Sequence, residues 1–148
     1  MNDIYVENGS KKARQLTESV VEFCMRKMLP RHRSVKIWVE FEKDIDEWGF
    51  CYAGENSHDI YISLNTCLTK KEARDDLIDT ICHEMIHCKQ IVRKQLVDFM
   101  TPPYCQKWLC RDGKYRRFDK LPHQSKPWEV EAYRDSWKYG KEFIDNEL

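Results

Sequence analysis

The sequence predicts one domain of the α+β class, in which long helices are combined with a small sheet. Apolar residues recur at helical spacing in three long segments, and three short segments after the first helix are typical of strands, two of them with alternating apolar residues. The length supports one domain, because 148 residues are enough to bury a single hydrophobic core. No repeat, low-complexity tract or linker indicates a second domain, so we expect one domain over residues 1–148.

The N-terminal half is predicted to contain the first helix and the sheet. Helical spacing begins at Ser10 and continues to Leu29, where Pro30 ends the helix. Three segments with strand patterns follow, at residues 34–41, 48–54 and 58–64. We expect these segments to form a small three-stranded sheet that is mostly antiparallel.

A second helix, an insert and a last helix complete the predicted fold. Thr69 is expected to be the N-cap of the second helix, with Glu72 completing a capping box, and the apolar stripe of this helix runs over residues 73–92. The helical pattern fails after Met100. Residues 108–118 are typical of a hairpin that turns at Asp112-Gly113. Pro127 is expected to open the last helix at its first turn.

The second helix carries the sequence His83-Glu84-Met85-Ile86-His87. Residues four apart lie one turn apart on the same helix face, so both imidazoles can bind one metal ion. The glutamate between them lies beside the metal, where it can take a proton from a bound water. We therefore predict one Zn²⁺ per chain, with His83 and His87 as ligands and Glu84 as the catalytic base. Surface histidines on an amphipathic helix are the alternative, but they do not explain the apolar Met85 and Ile86.

The third ligand has to come from a later part of the chain, since a catalytic zinc normally takes three protein ligands and one water. The downstream donors are His123, Glu129, Glu131, Asp135, Cys105 and Cys110. We favour Glu131, because it shares a helix face with Asp135, which can hydrogen-bond to the ring of a ligating histidine. Glu129 is the alternative ligand. A shift of two residues rotates a side chain by about 200°, so only one of the two glutamates can face the metal.

Together these residues resemble the motifs of the gluzincins, the zincin group that includes the thermolysin-like metallopeptidases. The matching positions are His83, Glu84 and His87 on one helix, then Glu131-Ala132 and Asp135 on a later one. The order of elements is also similar to that of SprT-like and ImmA/IrrE-type peptidases. The resemblance implies a zincin-like fold in a single domain.

The resemblance also implies a zinc-dependent endopeptidase that acts on a protein or peptide substrate, with Glu84 as general base. The strand over residues 59–64 is then expected to bind the extended substrate at the cleft edge. His123, Tyr104, Tyr133 and Tyr139 are possible donors to the developing oxyanion. Two other functions stay open: a non-catalytic binding module of zincin descent that zinc braces, and a DNA-associated SprT-like protease.

Composition narrows the expected partners and location. The 25 basic and 25 acidic residues give zero net charge, which does not indicate a nucleic-acid partner. Basic residues near Arg31 and at residues 114–120 nevertheless leave a DNA-associated peptidase as a possible function. No apolar run is long enough to span a membrane, and the first residues lack a signal-peptide core. We expect a cytoplasmic monomer. The seven cysteines, an odd number, indicate free thiols in that compartment.

Overall fold

The computed structural model describes residues 2–98 and 106–148. Within these ranges the chain forms three α-helices, a four-stranded sheet and a small three-stranded antiparallel sheet, which confirms the predicted α+β class. The helices are α1 (Lys11–Met28), α2 (Arg74–Val92) and α3 (Pro127–Glu147). The strands are β1 (Asp3–Glu7), β2 (Lys36–Glu42), β3 (Gly49–Ala53), β4 (Asp59–Asn65), β5 (Leu96–Asp98), β6 (Gln106–Leu109) and β7 (Tyr115–Arg116). Tyr104 and Cys105 lie outside the described residues.

The four-stranded sheet has the order β1-β2-β4-β3 and differs in two respects from the expected three-stranded, mostly antiparallel sheet. The N-terminal strand β1 was not predicted, and the pairs β1–β2 and β2–β4 are parallel, so only β3 is antiparallel to its neighbour. Parallel pairing of β1 with β2 is possible because α1 forms the long connection between them. The inward positions of β2 alternate as predicted, with Ile37, Val39 and Phe41 all buried.

The ends of the helices follow the local sequence, with one exception. The Ser10 hydroxyl accepts a hydrogen bond from the Ala13 N–H (3.2 Å) and caps α1, and Pro127 occupies the first turn of α3. The predicted N-cap at Thr69 is wrong, because two short 3₁₀ turns precede α2 and the Thr69 hydroxyl donates to the Thr66 carbonyl (2.8 Å). The second helix therefore begins at Arg74.

The helix that carries the H-E-x-x-H sequence is the centre of the core. Most of its residues from Leu77 onward are buried, and it packs against α1, α3 and the sheet. The insert between α2 and α3 contains the predicted hairpin, in which β6 and β7 pair and Gly113 has the positive φ of +83° that the turn requires. None of the helices in the described ranges has the length and apolar character needed to cross a membrane.

Candidate metal centre

Two histidines of α2 and one glutamate of α3 meet at the base of a cleft. The donor atoms of His83, His87 and Glu129 all lie within 4.8 Å of one another. The Nε2 atoms of His83 and His87 are 3.1 and 3.2 Å from the Glu129 carboxylate, and both His87 and Glu129 are buried. Two imidazole nitrogens and one carboxylate form a donor set that suits zinc, so the residues fit the predicted metal.

The structure corrects the preference for Glu131 as the third donor, since it brings Glu129 to the histidines instead. Glu129, Ala132 and Ser136 are buried on the face of α3 that packs against α2, whereas Glu131 lies beside this face. Its Oε1 accepts a hydrogen bond from Gln90 (2.7 Å), and its Oε2 is 3.4 Å from Lys89 Nζ. The small residues that share the helical period of Glu129 are the sequence signal that identifies this face.

The supporting role expected of Asp135 is not seen either. Its carboxylate pairs with Arg134 (2.9 Å) and lies 3.6 Å from Lys138 Nζ, so it contacts neighbours on its own helix. The partner of the histidine is Gln90, which sequence reasoning missed. His87 Nδ1 lies 2.8 Å from Gln90 Oε1. Gln90 is three residues after His87 and directly precedes the apolar Ile91 and Val92, and a polar residue beside a buried apolar pair is the signal for a buried hydrogen bond.

The contacts of Gln90 also define the proton arrangement on His87. The Gln90 Nε2 atom donates to the Trp128 carbonyl (3.0 Å) and to Glu131 (2.7 Å), so the Oε1 atom must face the imidazole. The Nδ1 of His87 therefore carries a proton and donates it to Gln90, which leaves Nε2 toward Glu129 for a metal. Glu131 thus supports the site through Gln90 instead of entering it.

Without a metal, the opposite charges of the histidines and Glu129 stabilise the cluster. Burial alone favours the neutral form of His87, but the hydrogen bond to Glu129 and the charge of Glu84 raise its pKa to about 9. Burial likewise disfavours the Glu129 carboxylate, yet hydrogen bonds from His83 and His87 hold its pKa well below its usual range. At neutral pH, His87 is therefore protonated and Glu129 is ionised, and a metal ion has to replace the His87 proton.

This exchange makes zinc binding depend on pH. Zinc affinity is expected to rise about tenfold per pH unit up to the His87 pKa, or roughly 100-fold between about pH 6 and pH 8, because each ion bound releases one proton. Titration with zinc in a competing chelator measures this slope. An affinity that stops rising near pH 6.5, as for an ordinary histidine, contradicts the coupling between His87 and Glu129.

Glu84 lies beside the donor cluster and does not belong to it. Its carboxyl group is buried, and burial raises its pKa above the usual value, while the charges of His87 and His83 partly oppose this rise. A raised pKa brings the carboxylate closer to the strength that a general base needs near neutral pH.

The cleft above these residues has a volume of about 610 Å³. One wall is formed by the start of β3 with the loop before it, where Trp48 is 53 % exposed, and the other by α3. The prediction that residues 59–64 bind the substrate as an edge strand is wrong. Strand β4 pairs with β2 on one side and β3 on the other, and β3 is the edge strand. Gly49 lets β3 approach α2 closely, since a Cβ there would lie 3.1 Å from Thr80 Cγ2.

The structure brings two of the possible oxyanion donors to the cleft. The Tyr133 ring packs edge-on against His83, with centroids 4.7 Å apart, and the side chain is 53 % exposed. His123 is exposed, and its Nε2 is 3.4 Å from Glu129 Oε1. Tyr139 packs against the core and does not line the cleft. His123 and Tyr133 therefore stay candidates on position, and Cys110 lies away from the cluster.

Comparison with known protein families identifies the family of the chain. The sequence pattern that defines the SprT-like family matches residues 13–100, which is more than half of the chain. The matched range contains most of α1, the four-stranded sheet from β2 onward and the whole H-E-x-x-H helix, and it ends before Glu129. No curated protein and no solved structure matches the chain.

Proposed function

The chain belongs to the SprT-like family, and from this membership and the geometry of the cluster we propose that it is a zinc-dependent endopeptidase. The observation that carries the proposal is the group of His83, His87 and Glu129 at the base of an open cleft, with the buried Glu84 beside it. When zinc is bound there, it supplies a water of lowered pKa and polarises the carbonyl of the peptide bond.

Side chains and main-chain groups of the protein provide proton transfer, substrate binding and stabilisation of the oxyanion. Glu84 takes the proton from the attacking water and passes it to the leaving amine, for which its raised pKa is suited. Strand β3 is the edge strand of the sheet and its first residues line the cleft, so an extended peptide that pairs along it lies next to α2. Tyr133 and His123 line the same cleft and are our candidates to donate hydrogen bonds to the scissile carbonyl oxygen.

A purely structural zinc site explains the geometry less well. Structural zinc is normally held by four protein ligands, whereas this cluster has three donors among the described residues and faces a cleft. A binding module of zincin descent also has no need for a buried carboxylate at Glu84. These two features favour catalysis over the binding-module alternative.

Family membership agrees with the alternative of an SprT-like protease, but the association with DNA stays a prediction. Two arginines of the basic stretch at residues 114–120 pair with neighbouring aspartates, Arg116 with Asp112 and Arg117 with Asp119 (2.6 Å for the second pair). Part of the positive charge in this stretch is therefore compensated locally, and we do not extend the proposal to a nucleic-acid partner.

Metal removal tests the proposed function directly. The purified protein is expected to contain one zinc per chain and to cleave an unfolded protein such as reduced casein. Dialysis against a chelator is expected to abolish cleavage, and stoichiometric zinc is expected to restore it, while magnesium is not, because the site offers imidazole nitrogens. Elemental analysis and the appearance of peptide fragments are the two measurements. Cleavage that survives complete loss of zinc contradicts the proposal.

A further inference from the structure

The face of the four-stranded sheet that points away from the helices carries a row of stacked rings. We call this row the aromatic ladder; it consists of Tyr5, Trp38, Tyr61 and Tyr52, one residue from each strand. These residues are direct neighbours in the strand register. Their ring centroids are 5.6, 4.9 and 5.4 Å apart, with interplanar angles of 17°, 13° and 14°. The ladder therefore crosses the whole sheet.

The ladder remains open to solvent. Tyr5 is 46 % exposed and the other three rings are half-buried, whereas the alternate positions of the same strands face the core. Because neighbouring rings stack on one another, their faces are already in contact inside the ladder, and mainly ring edges face the solvent. Cross-strand aromatic pairs stabilise a sheet, which explains the stacking. It does not explain the charges that lie beside the rings.

Carboxylates dominate the rest of this face. The charged residues at outward strand positions are Asp3, Glu7, Glu40, Glu42 and Asp59 on the acidic side and Lys36 on the basic side. Glu7 and Glu40 are directly opposite each other in the register, a like-charge pair that costs stability. Among the described residues, Glu7, Glu40 and Glu42 form no ion pair.

A groove continues from the acidic side of the ladder. It has a volume of about 670 Å³ and lies where β1 and β2 end, with Glu40, Glu42 and Asp44 in its lining against a single Lys43. The negative charge also acts on the rings. Burial raises the pKa of Tyr52, and the nearby carboxylate of Glu42 raises it further. The face thus combines apolar ring edges with uncompensated negative charge.

We propose that the aromatic ladder and its carboxylates bind a segment of a partner polypeptide that is rich in lysine and arginine. The methylene stems of such side chains pack on the ring edges while their charged ends reach Glu7, Glu40 and Glu42. A cationic ligand also relieves the repulsion between Glu7 and Glu40. Nucleic acid fits poorly, because its phosphates meet carboxylates and the ring faces that stack with bases are occupied.

The proposed surface is continuous with the cleft through β3. Phe50 stacks on Tyr52, with ring centroids 5.9 Å apart, and it also lines the cleft. The charged side chains in the described lining of the cleft include Glu47 and Asp79 but neither lysine nor arginine. A basic segment therefore meets no lysine or arginine side chain in the described lining of the cleft. The binding does not depend on hydrolysis, so it can be tested separately from the proposed function.

Fluorescence anisotropy of labelled peptides tests the proposal. The full chain carrying Glu84→Gln, which prevents cleavage of the probe, is titrated into a twelve-residue peptide of alternating lysine, arginine and alanine. A glutamate-rich peptide of equal length and a single-stranded oligothymidine serve as the other two probes. The altered protein is the double variant Glu40→Gln/Glu42→Gln. Its matched control is Glu18→Gln/Glu22→Gln, which removes the same charge from exposed positions on α1.

We expect the basic peptide to bind, and to bind more weakly as salt increases, while the other two probes do not bind. The Glu40/Glu42 double variant is expected to weaken binding by about tenfold or more, and the Glu18/Glu22 control by no more than about twofold. Binding should also change the emission of Trp38, which a Trp38→Phe variant identifies. Absent binding of the basic peptide, equal losses in both double variants, or binding of oligothymidine instead would each overturn the proposal.

Discussion

Replacing Glu84 with glutamine is expected to lower kcat for peptide hydrolysis by about 10²- to 10⁴-fold without loss of zinc. Glutamine has the size of glutamate and fits the same buried position, but it cannot accept the proton of the attacking water. Zinc content should not change, because the donors that lie within 4.8 Å of one another are His83, His87 and Glu129. Elemental analysis and initial rates on the same preparation measure both quantities.

The interpretation depends on an intact fold and an intact metal site. Circular dichroism and the melting temperature of the zinc-loaded variant provide the control for folding, and we expect both to match the wild type closely. Glu84→Asp is a useful second variant, since it keeps the carboxylate but withdraws it from the cleft, and it should retain part of the activity. Turnover of Glu84→Gln at the wild-type rate rules out this residue as the base.

Replacing Glu129 with glutamine is expected to cost zinc affinity by more than the 10- to 100-fold that is typical of losing a supporting group around a metal. Glutamine removes the negative charge that faces His83 and His87 and leaves a weaker oxygen donor in its place. Activity at limiting zinc should fall in parallel. Competition with a chromogenic chelator measures the affinity of the wild type and the variant under the same conditions.

Glu131→Gln is the matched control, because it makes the same chemical change two residues further along α3. Its carboxylate contacts Gln90 and Lys89 instead of the histidines, so we expect a change in zinc affinity of a few-fold at most. The opposite result, with zinc retained in Glu129→Gln and lost in Glu131→Gln, returns the third-ligand assignment to Glu131. If neither variant loses zinc affinity, neither glutamate is a metal ligand.

The elements that local sequence describes best are the helices. The apolar period and the end signals predicted both ends of α1 to within a residue or two, and they predicted the start of α3 at Pro127. The start of α2 was placed too early, because the Thr69 hydroxyl bonds within a 3₁₀ turn, and such short turns have no apolar period of their own.

The sheet shows where local pattern is insufficient. Strand β1 has only five residues, and the exposed Tyr5 lies between Ile4 and Val6, so its sequence presents one short run of large side chains and no clear strand pattern. Its pairing with β2 depends on a contact across the whole of α1, and the same is true of the parallel register. The position of β4 between two strands likewise follows from pairing, which is why the edge strand was assigned incorrectly.

The sequence by itself determined what depends on neighbours within one helix: the helix that carries His83, Glu84 and His87, and the shared face of the two imidazoles. Four-residue spacing places these groups together whatever surrounds them. Only the tertiary structure decided which glutamate completes the cluster and which amide orients His87. Both answers depend on how α3 is rotated against α2, and a two-residue difference on a helix reverses the direction of a side chain. That rotation buries Ala132 and Ser136 in the interface between the two helices, and Glu129 is buried there too because it lies on the same face of α3.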